Sequence, residues 1–396
     1  MDRDALAERN RQLAQAFHST PMRHRFRQRM LRAAALFPFA AQHTRRFRVL
    51  FIRPDHIGDL LLATPAIRAL KQAQPFAEIH VLAGPWAAPI LEPIEEIDQV
   101  LTIRFPGFDR EEEKHHPLAP YLYALKVSRQ LRAIGYSAAV MMRPDHWWGG
   151  LLAHMAGIRE RIGYALPDVA PFLTRALPYQ MEHVVRQNLR LVQHWTGRIE
   201  DNAVPYTLKP DAATDAALDD WAQVRRVALS RPLVCVHPGA GTRYKQWESS
   251  RWAQVADALH EQTGAAIVFT GSRGEAPLVA QIVALARHTH HSAAGELSLM
   301  QVAALYRRAS LAIGCDSGPM HIAAAVGTPT VTLFGPASPA EFAPWGDKRQ
   351  HIVLASPIAC RPCRVLDWGD DDPALHPCLR DIGIGEVLDA ARTLLN

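Results

Sequence analysis

The sequence has no apolar run long enough to span a bilayer, and that argues against an integral membrane protein. It holds only five cysteines, an odd number that suits reduced thiols better than a disulfide framework. No first strand is followed by G-x-G-x-x-G, so a nicotinamide dehydrogenase is poorly supported. The GK[ST] ending of a nucleotide-triphosphate P-loop is also missing. The opening MDRDALAERN carries acids and no apolar core, unlike a secretory leader, so the expected location is the cytoplasm. One further absence is local. Between Glu8 and Asp55 there is no acidic residue, while Arg23, Arg25, Arg27, Arg29, Arg32, Arg45, Arg46 and Arg48 crowd that stretch.

What is present is a chain of 396 residues, long enough to favour two domains over one core. Lys and Arg number 44 against 39 Asp and Glu, a small excess that suits an anionic ligand or surface without requiring nucleic acid. No recognition motif accompanies the basic arm, so nucleic acid is not an expected partner. Within the arm, Phe26, Met30, Ala33 and Phe37 recur along one face of a helix that Pro38 would stop. Such a helix suits contact with an anionic membrane face; packing of the same residues on the arm's own domain is the competing expectation.

From residue 47 the chain alternates apolar runs with helical patterns. FRVLFIR (47–53), AEIHVLA (77–83), QVLTI (99–103) and SAAVMM (137–142) form one series. LVCVHPG (233–239), AAIVFTG (265–271), SLAIG (310–314) and PTVTLFG (329–335) form another. This order predicts two α/β halves, each a doubly wound parallel sheet. The expected boundaries are a basic arm over 1–46, a first domain over 47–208 and a second over 209–396, whose last helix is a candidate to pack back on the first.

In open parallel sheets ligands bind beyond the carboxyl ends of strands, so the turns after each strand carry the chemistry. In GCDSGPMHIAAAVGTP (314–329), Asp316 or Ser317 suits a helix N-cap, Gly318 admits a close ligand and Pro319 fits the first helical turn. The small-residue helix behind them would offer its N-terminus to a phosphate; an ordinary capped helix is the bland alternative. In HPGAGTRYK (237–245), Thr242, Arg243 and Lys245 follow two glycines at a distance that suits phosphate binding. In TGSRGE, Gly271 and Ser272 close a strand and Glu275 suits either ribose hydroxyls or helix capping. In RPDHIGD (53–59), Asp59 is a candidate general base, with Asp55 and His56 as competitors.

RPDHIGDLLLATPAIRALKQAQPFAEIHVL, VHPGAGTRYKQWESSRWAQVADAL, FTGSRGEAP and IGCDSGPMHIAAAVGTPTVTLFGP together resemble glycosyltransferase family 9, the ADP-heptose:lipopolysaccharide heptosyltransferases, over roughly residues 47 to 390. The resemblance implies a GT-B fold, two Rossmann-like domains facing a central cleft, preceded here by the basic extension. It implies inverting, metal-independent transfer from a nucleotide-sugar donor, ADP-heptose first among them, to a lipid-linked glycan, with no cofactor and with possible peripheral contact at the inner membrane's cytoplasmic face. Asp59 matches the family's proposed base, Lys245 its phosphate-binding lysine, and Asp316, Ser317, Gly318, Pro319 and His321 its D-[ST]-G-x-x-H diphosphate turn. Glu275 matches, less closely, an acid that meets the ribose. Two alternatives stay open: another nucleotide-sugar enzyme of this fold, such as an epimerase or hydrolase, and a non-catalytic nucleotide-sugar binder.

Several clusters stand outside that pattern. Cys360 and Cys363, with His376 and Cys378, have the residue types of a structural zinc site, although the spacing is weak for one. The acids Asp370–Asp372 read as a solvated turn, and His115, His116, His288, His290 and His291 read as exposed.

Overall fold

The computed structural model describes residues 2–18, 22–42, 44, 46–108, 116, 118–201, 203–229 and 232–395. Arg45, His115 and the side chain of Arg23 lie outside what is described. Short runs of Val, Ile, Leu and Ala that are apolar on both faces can be stabilised only where both faces are covered, and here they pair as parallel strands. The chain forms two units.

In the first unit, β1 (Arg48–Ile52) pairs with β2 (Glu78–Ala83) on one side and β4 (Ala138–Met141) on the other. The strands β3 (Gln99–Thr102), β5 (Glu160–Tyr164) and β6 (Arg175–Leu177) complete an all-parallel sheet of order β3-β2-β1-β4-β5-β6. In the second, β7 (Leu233–His237) pairs with β8 (Ala266–Phe269) and β10 (Leu311–Cys315). With β9 (His291–Ser292), β11 (Thr330–Phe334) and β12 (His351–Ala355) the order is β12-β11-β10-β7-β8-β9, again all parallel. Both sheets share the doubly wound order 3-2-1-4-5-6, which reverses direction between β1 and β4 and between β7 and β10. At such a switch point the two flanking loops diverge and leave a crevice.

The apolar runs named from the sequence are the central strands and β3. Those not foreseen are β5, β6, β9 and β12: in the first three, towards or at the sheet edges, Glu160, Arg161, Arg175 and His291 are only partly buried or exposed and no apolar run is needed, whereas β12 is a short apolar run, HIVLA, that the sequence reading did not single out. The division between units falls after Pro205, and the first helix (Arg3–His18) groups with the second unit, whereas the helix Met22–Ala35 groups with the first. Ala7 packs with Ile358 and Cys378, Arg9 pairs with Asp371 at 2.8 Å, and Asn10 donates to the Leu375 carbonyl. Asp371 is therefore part of a docked contact and not of a purely solvated turn. The last helix (Ile384–Leu395), a candidate to return to the first half, buries Val387, Ala390 and Ala391 in the second unit's own core. His290, expected to be exposed, is buried with Nε2 3.1 Å from Asp257. Among the described residues no helix is long and apolar enough to cross a membrane.

Candidate functional site

Asp59, Lys245 and Asp316 fall on loops that leave the strands flanking the two switch points, and Gly271, Ser272 and Glu275 follow β8, one strand further out. In the first unit β1 runs into Arg53, Pro54 and Asp55, and His56 is the N-cap of a short helix, Ile57–Leu61, with Asp59 in its first turn. Asp59 caps nothing. Its Oδ1 accepts from Arg53 Nη2 at 2.9 Å, and its side chain keeps 28% exposure.

Arg53 is buried and holds three groups at once. Its Nη1 donates to the Met142 carbonyl after β4, and its Nε lies 2.7 Å from Asp55 Oδ2, out of line for a hydrogen bond, so that contact is an ion pair. The other Asp55 oxygen accepts from Arg143, which also pairs with Asp145 at 2.6 Å. Burial alone would raise the Asp55 pKa, but the Arg53 and Arg143 charges outweigh it and hold this carboxyl below the ordinary range. Asp59 goes the other way. Enclosure raises its pKa first, the neighbouring Asp55 charge adds to the rise, and Arg53 and Arg143 only partly oppose it. One carboxylate is thus a fixed anion and the other a base whose proton affinity is lifted.

His146 lies in the same buried corner against Phe105, Phe108 and Trp148, and burial pushes its pKa down to about 3, so the ring is neutral. Arg53, Arg143 and His146 were not among the residues the sequence singled out. The one available signal was RPDH, which occurs both after β1 and after β4, at 53–56 and 143–146.

In the second unit the loop after β7 leads to a short 3-10 turn, Arg243–Lys245, and the strand β10 runs into Asp316 and then Ser317, the N-cap of the helix Gly318–Ala325. Lys245 Nζ lies 2.6 Å from Asp316 Oδ2, with both side chains largely buried. The Ser317 hydroxyl donates to the Cys315 carbonyl and so does not cap the positive end of this helix. Gly314 lets β10 pack closely against β7 and the Met320 side chain of this helix. A Cβ there would sit 2.7 Å from the His237 carbonyl and from Met320 Sδ.

Arg243 and Thr242 sit differently from the phosphate-binding expectation. Arg243 donates to the carbonyls of Gly369 and Asp371, and the Thr242 hydroxyl to that of Leu366, so these groups brace the loop over 366–371. His321 is buried inside the helix behind the turn. Glu275 has one oxygen committed to a capping box, accepting from the Ser272 amide at 2.7 Å and hydroxyl at 2.8 Å. Its other oxygen lies against Gly239, where an added Cβ would overlap the carboxylate, and 4.0 Å from His237 Nε2. His237, which sequence reasoning passed over, pairs through Nδ1 with Thr270, which in turn meets Tyr306. Burial lowers the His237 pKa, against the opposing Glu275 charge.

Cys360, Cys363, His376 and Cys378 line one small pocket with Tyr244 and Trp368, but among the described residues no group of three or more His, Cys, Asp or Glu is arranged to hold a metal ion. His376 instead meets Asp371 at 2.8 Å and stacks on Trp368. Burial pushes all three thiols up, Cys378 to about 12.

Residues 124–367 match the family model described as glycosyltransferase family 9 (heptosyltransferase). The chain is 29% identical over 303 residues to lipopolysaccharide heptosyltransferase 3 of Escherichia coli, covering 73% of this chain and 84% of that one. It is 26% identical over 361 residues to lipopolysaccharide heptosyltransferase 2 of Escherichia coli K12, covering 88% and 98%. Among solved structures, E. coli ADP-heptose lps heptosyltransferase II superposes with a TM-score of 0.70 at 22% identity, over 88% of this chain and 98% of that one. The two parallel sheets are those of the GT-B fold.

Proposed function

Because the chain belongs to glycosyltransferase family 9, we propose that it moves a heptose from an ADP-linked donor to a hydroxyl of a lipopolysaccharide-type glycan, with inversion and without a divalent ion. The observation that carries this reading is the buried Lys245–Asp316 pair beside the uncapped helix at Ser317. Glycosyl transfer leaves negative charge on the departing diphosphate, and an ammonium group together with the positive end of a helix stabilises charge that appears in the transition state. Asp316 is itself an anion and would repel phosphate, so its part is to position Lys245.

Asp59 supplies the other half of the chemistry. Its carboxylate takes the acceptor hydroxyl's proton as that oxygen bonds to the anomeric carbon, and the bond from that carbon to the diphosphate breaks with its electron pair leaving on ADP. Arg53 fixes the direction of the carboxylate through a single hydrogen bond to Oδ1. Glu275 Oε1, the oxygen not used in capping, is the group left to meet a ribose hydroxyl.

Calorimetric titration of ADP, UDP and GDP tests the donor. ADP is expected to bind at least about tenfold more tightly than the other two, a difference of about 1.4 kcal/mol. A uridine preference would overturn the heptose reading, and release of sugar from the donor at full rate without any acceptor would point to a hydrolase.

A pH dependence follows from the raised Asp59 pKa. The base must be ionised, so activity is present above its pKa and lost as pH falls through it. With the pKa raised, the acid limb of the kcat profile lies above the ordinary carboxylate value of about 4. A limb at or below that value, measured with saturating donor and acceptor, would remove Asp59 from the role.

A further inference from the structure

The basic stretch before β1 resolves an alternative that the sequence left open, and in an unexpected direction. In the helix Met22–Ala35, Leu31 is buried, Ala34 and Ala35 pack with it on the first unit's core, and Arg27 pairs with Asp168. The periodic apolar residues are not on that face. Phe26 is 65% exposed, Met30 51% and Phe37, just past the helix, 68%; Ala33 is exposed as well. Leu36, at 84% exposure, extends the patch, and Arg25, Arg29 and Arg32 stand exposed beside it.

A stripe of large apolar side chains turned to water is unfavourable unless something covers it. Two features say what. Rings and thioethers interleaved with arginines match the interface of a bilayer, where apolar groups enter the acyl boundary and guanidinium groups meet lipid phosphates. The charge is also of one sign: no acidic residue lies between Glu8 and Asp55, so a second copy of the same face would bring arginines against arginines. The patch continues into a shallow groove lined by Leu36, Phe37, Phe39, His154 and Arg159, which adds another exposed arginine at its rim.

We infer that the solvent face of the helix Met22–Ala35, with Leu36 and Phe37, is a docking surface for an anionic phospholipid membrane. The inference stands apart from the transfer reaction, because vesicle binding is read without donor or acceptor.

The test is co-sedimentation of the full chain with vesicles of phosphatidylcholine alone and of equal parts phosphatidylcholine and phosphatidylglycerol. The protein is expected to bind the anionic vesicles and to stay in the supernatant with the neutral ones, and the bound fraction should fall as salt is raised. The triple variant Phe26→Ser, Met30→Ser, Phe37→Ser and the triple variant Arg25→Gln, Arg29→Gln, Arg32→Gln should each weaken binding by at least about tenfold. All six side chains are exposed, so both variants should keep the wild-type unfolding temperature and ADP affinity, which excludes misfolding as the cause. Three results overturn the proposal: no wild-type binding to the anionic vesicles, undiminished binding by the Phe/Met variant, or a concentration-dependent dimer in the wild type that this variant abolishes.

Discussion

Replacement of Asp59 by asparagine should lower kcat by about 10²- to 10⁴-fold, the range associated with loss of a positioned general base. The amide keeps the shape of the carboxyl group and can still accept from Arg53 Nη2 through its oxygen, so the loop after β1 should hold its form. Donor affinity should change by less than about twofold, because the diphosphate is assigned to the other sheet. Stability should respond in the opposite sense from activity. The Asp59 pKa is raised in the folded protein, so the ionised carboxylate is penalised there relative to the unfolded chain once pH exceeds the unfolded value. A neutral asparagine escapes that penalty and the repulsion from Asp55, and the variant is expected to unfold at a slightly higher temperature at pH 7. Single-turnover transfer and a thermal melt on the same sample check both signs. A kcat within about threefold of wild type would falsify the assignment.

Lys245→Ala should have the second large effect, a loss of about 10²- to 10³-fold in kcat/KM, or about 2.7–4 kcal/mol of transition-state stabilisation. Two physical changes contribute. The ammonium that would meet the diphosphate is gone, and Asp316, largely buried, is left without its cation close to where an anion must bind. Adding Asp316→Asn to the lysine variant separates them. Removing the stranded charge should restore stability and part of the ADP affinity but not the rate. Asp316→Asn alone keeps the ammonium and frees it from its tether, so its cost should be smaller than that of Lys245→Ala. An unchanged ADP affinity and rate in Lys245→Ala would remove the lysine from the site.

Much of the fold was legible because a strand buried on both faces has to be apolar along its length. The central strands β1, β4, β7 and β10 announce themselves by composition, and Gly, Pro and Ser mark the turns that follow them. Edge strands such as β6 and β9 have one side open and no such demand, so they carried little signal. Motif residues were legible for the same local reason. The sequence placed Asp59, Lys245 and Asp316 after strands, where a parallel sheet puts its ligand-binding loops.

What those residues touch was decided by the sheet order, which is a property of pairing between distant segments. Lys245 follows β7 and Asp316 follows β10; they meet because these strands are neighbours at the point where the order reverses. Arg53 reaches the Met142 carbonyl, and Asp55 reaches Arg143, because β1 lies against β4. Arg243 shows the limit from the other side: its charge and spacing suit phosphate, yet the tertiary structure gives its guanidinium to the carbonyls of Gly369 and Asp371. The arm before β1 makes the same point for packing. Periodicity established that Phe26, Met30, Ala33 and Phe37 share a helix face, but which face turns to the core depends on what Leu31 and Arg27 find opposite them. Local sequence dictates the elements and the chemistry they carry; only the juxtaposition of segments far apart in the chain decides which groups are paired, which are buried and which remain available to a ligand.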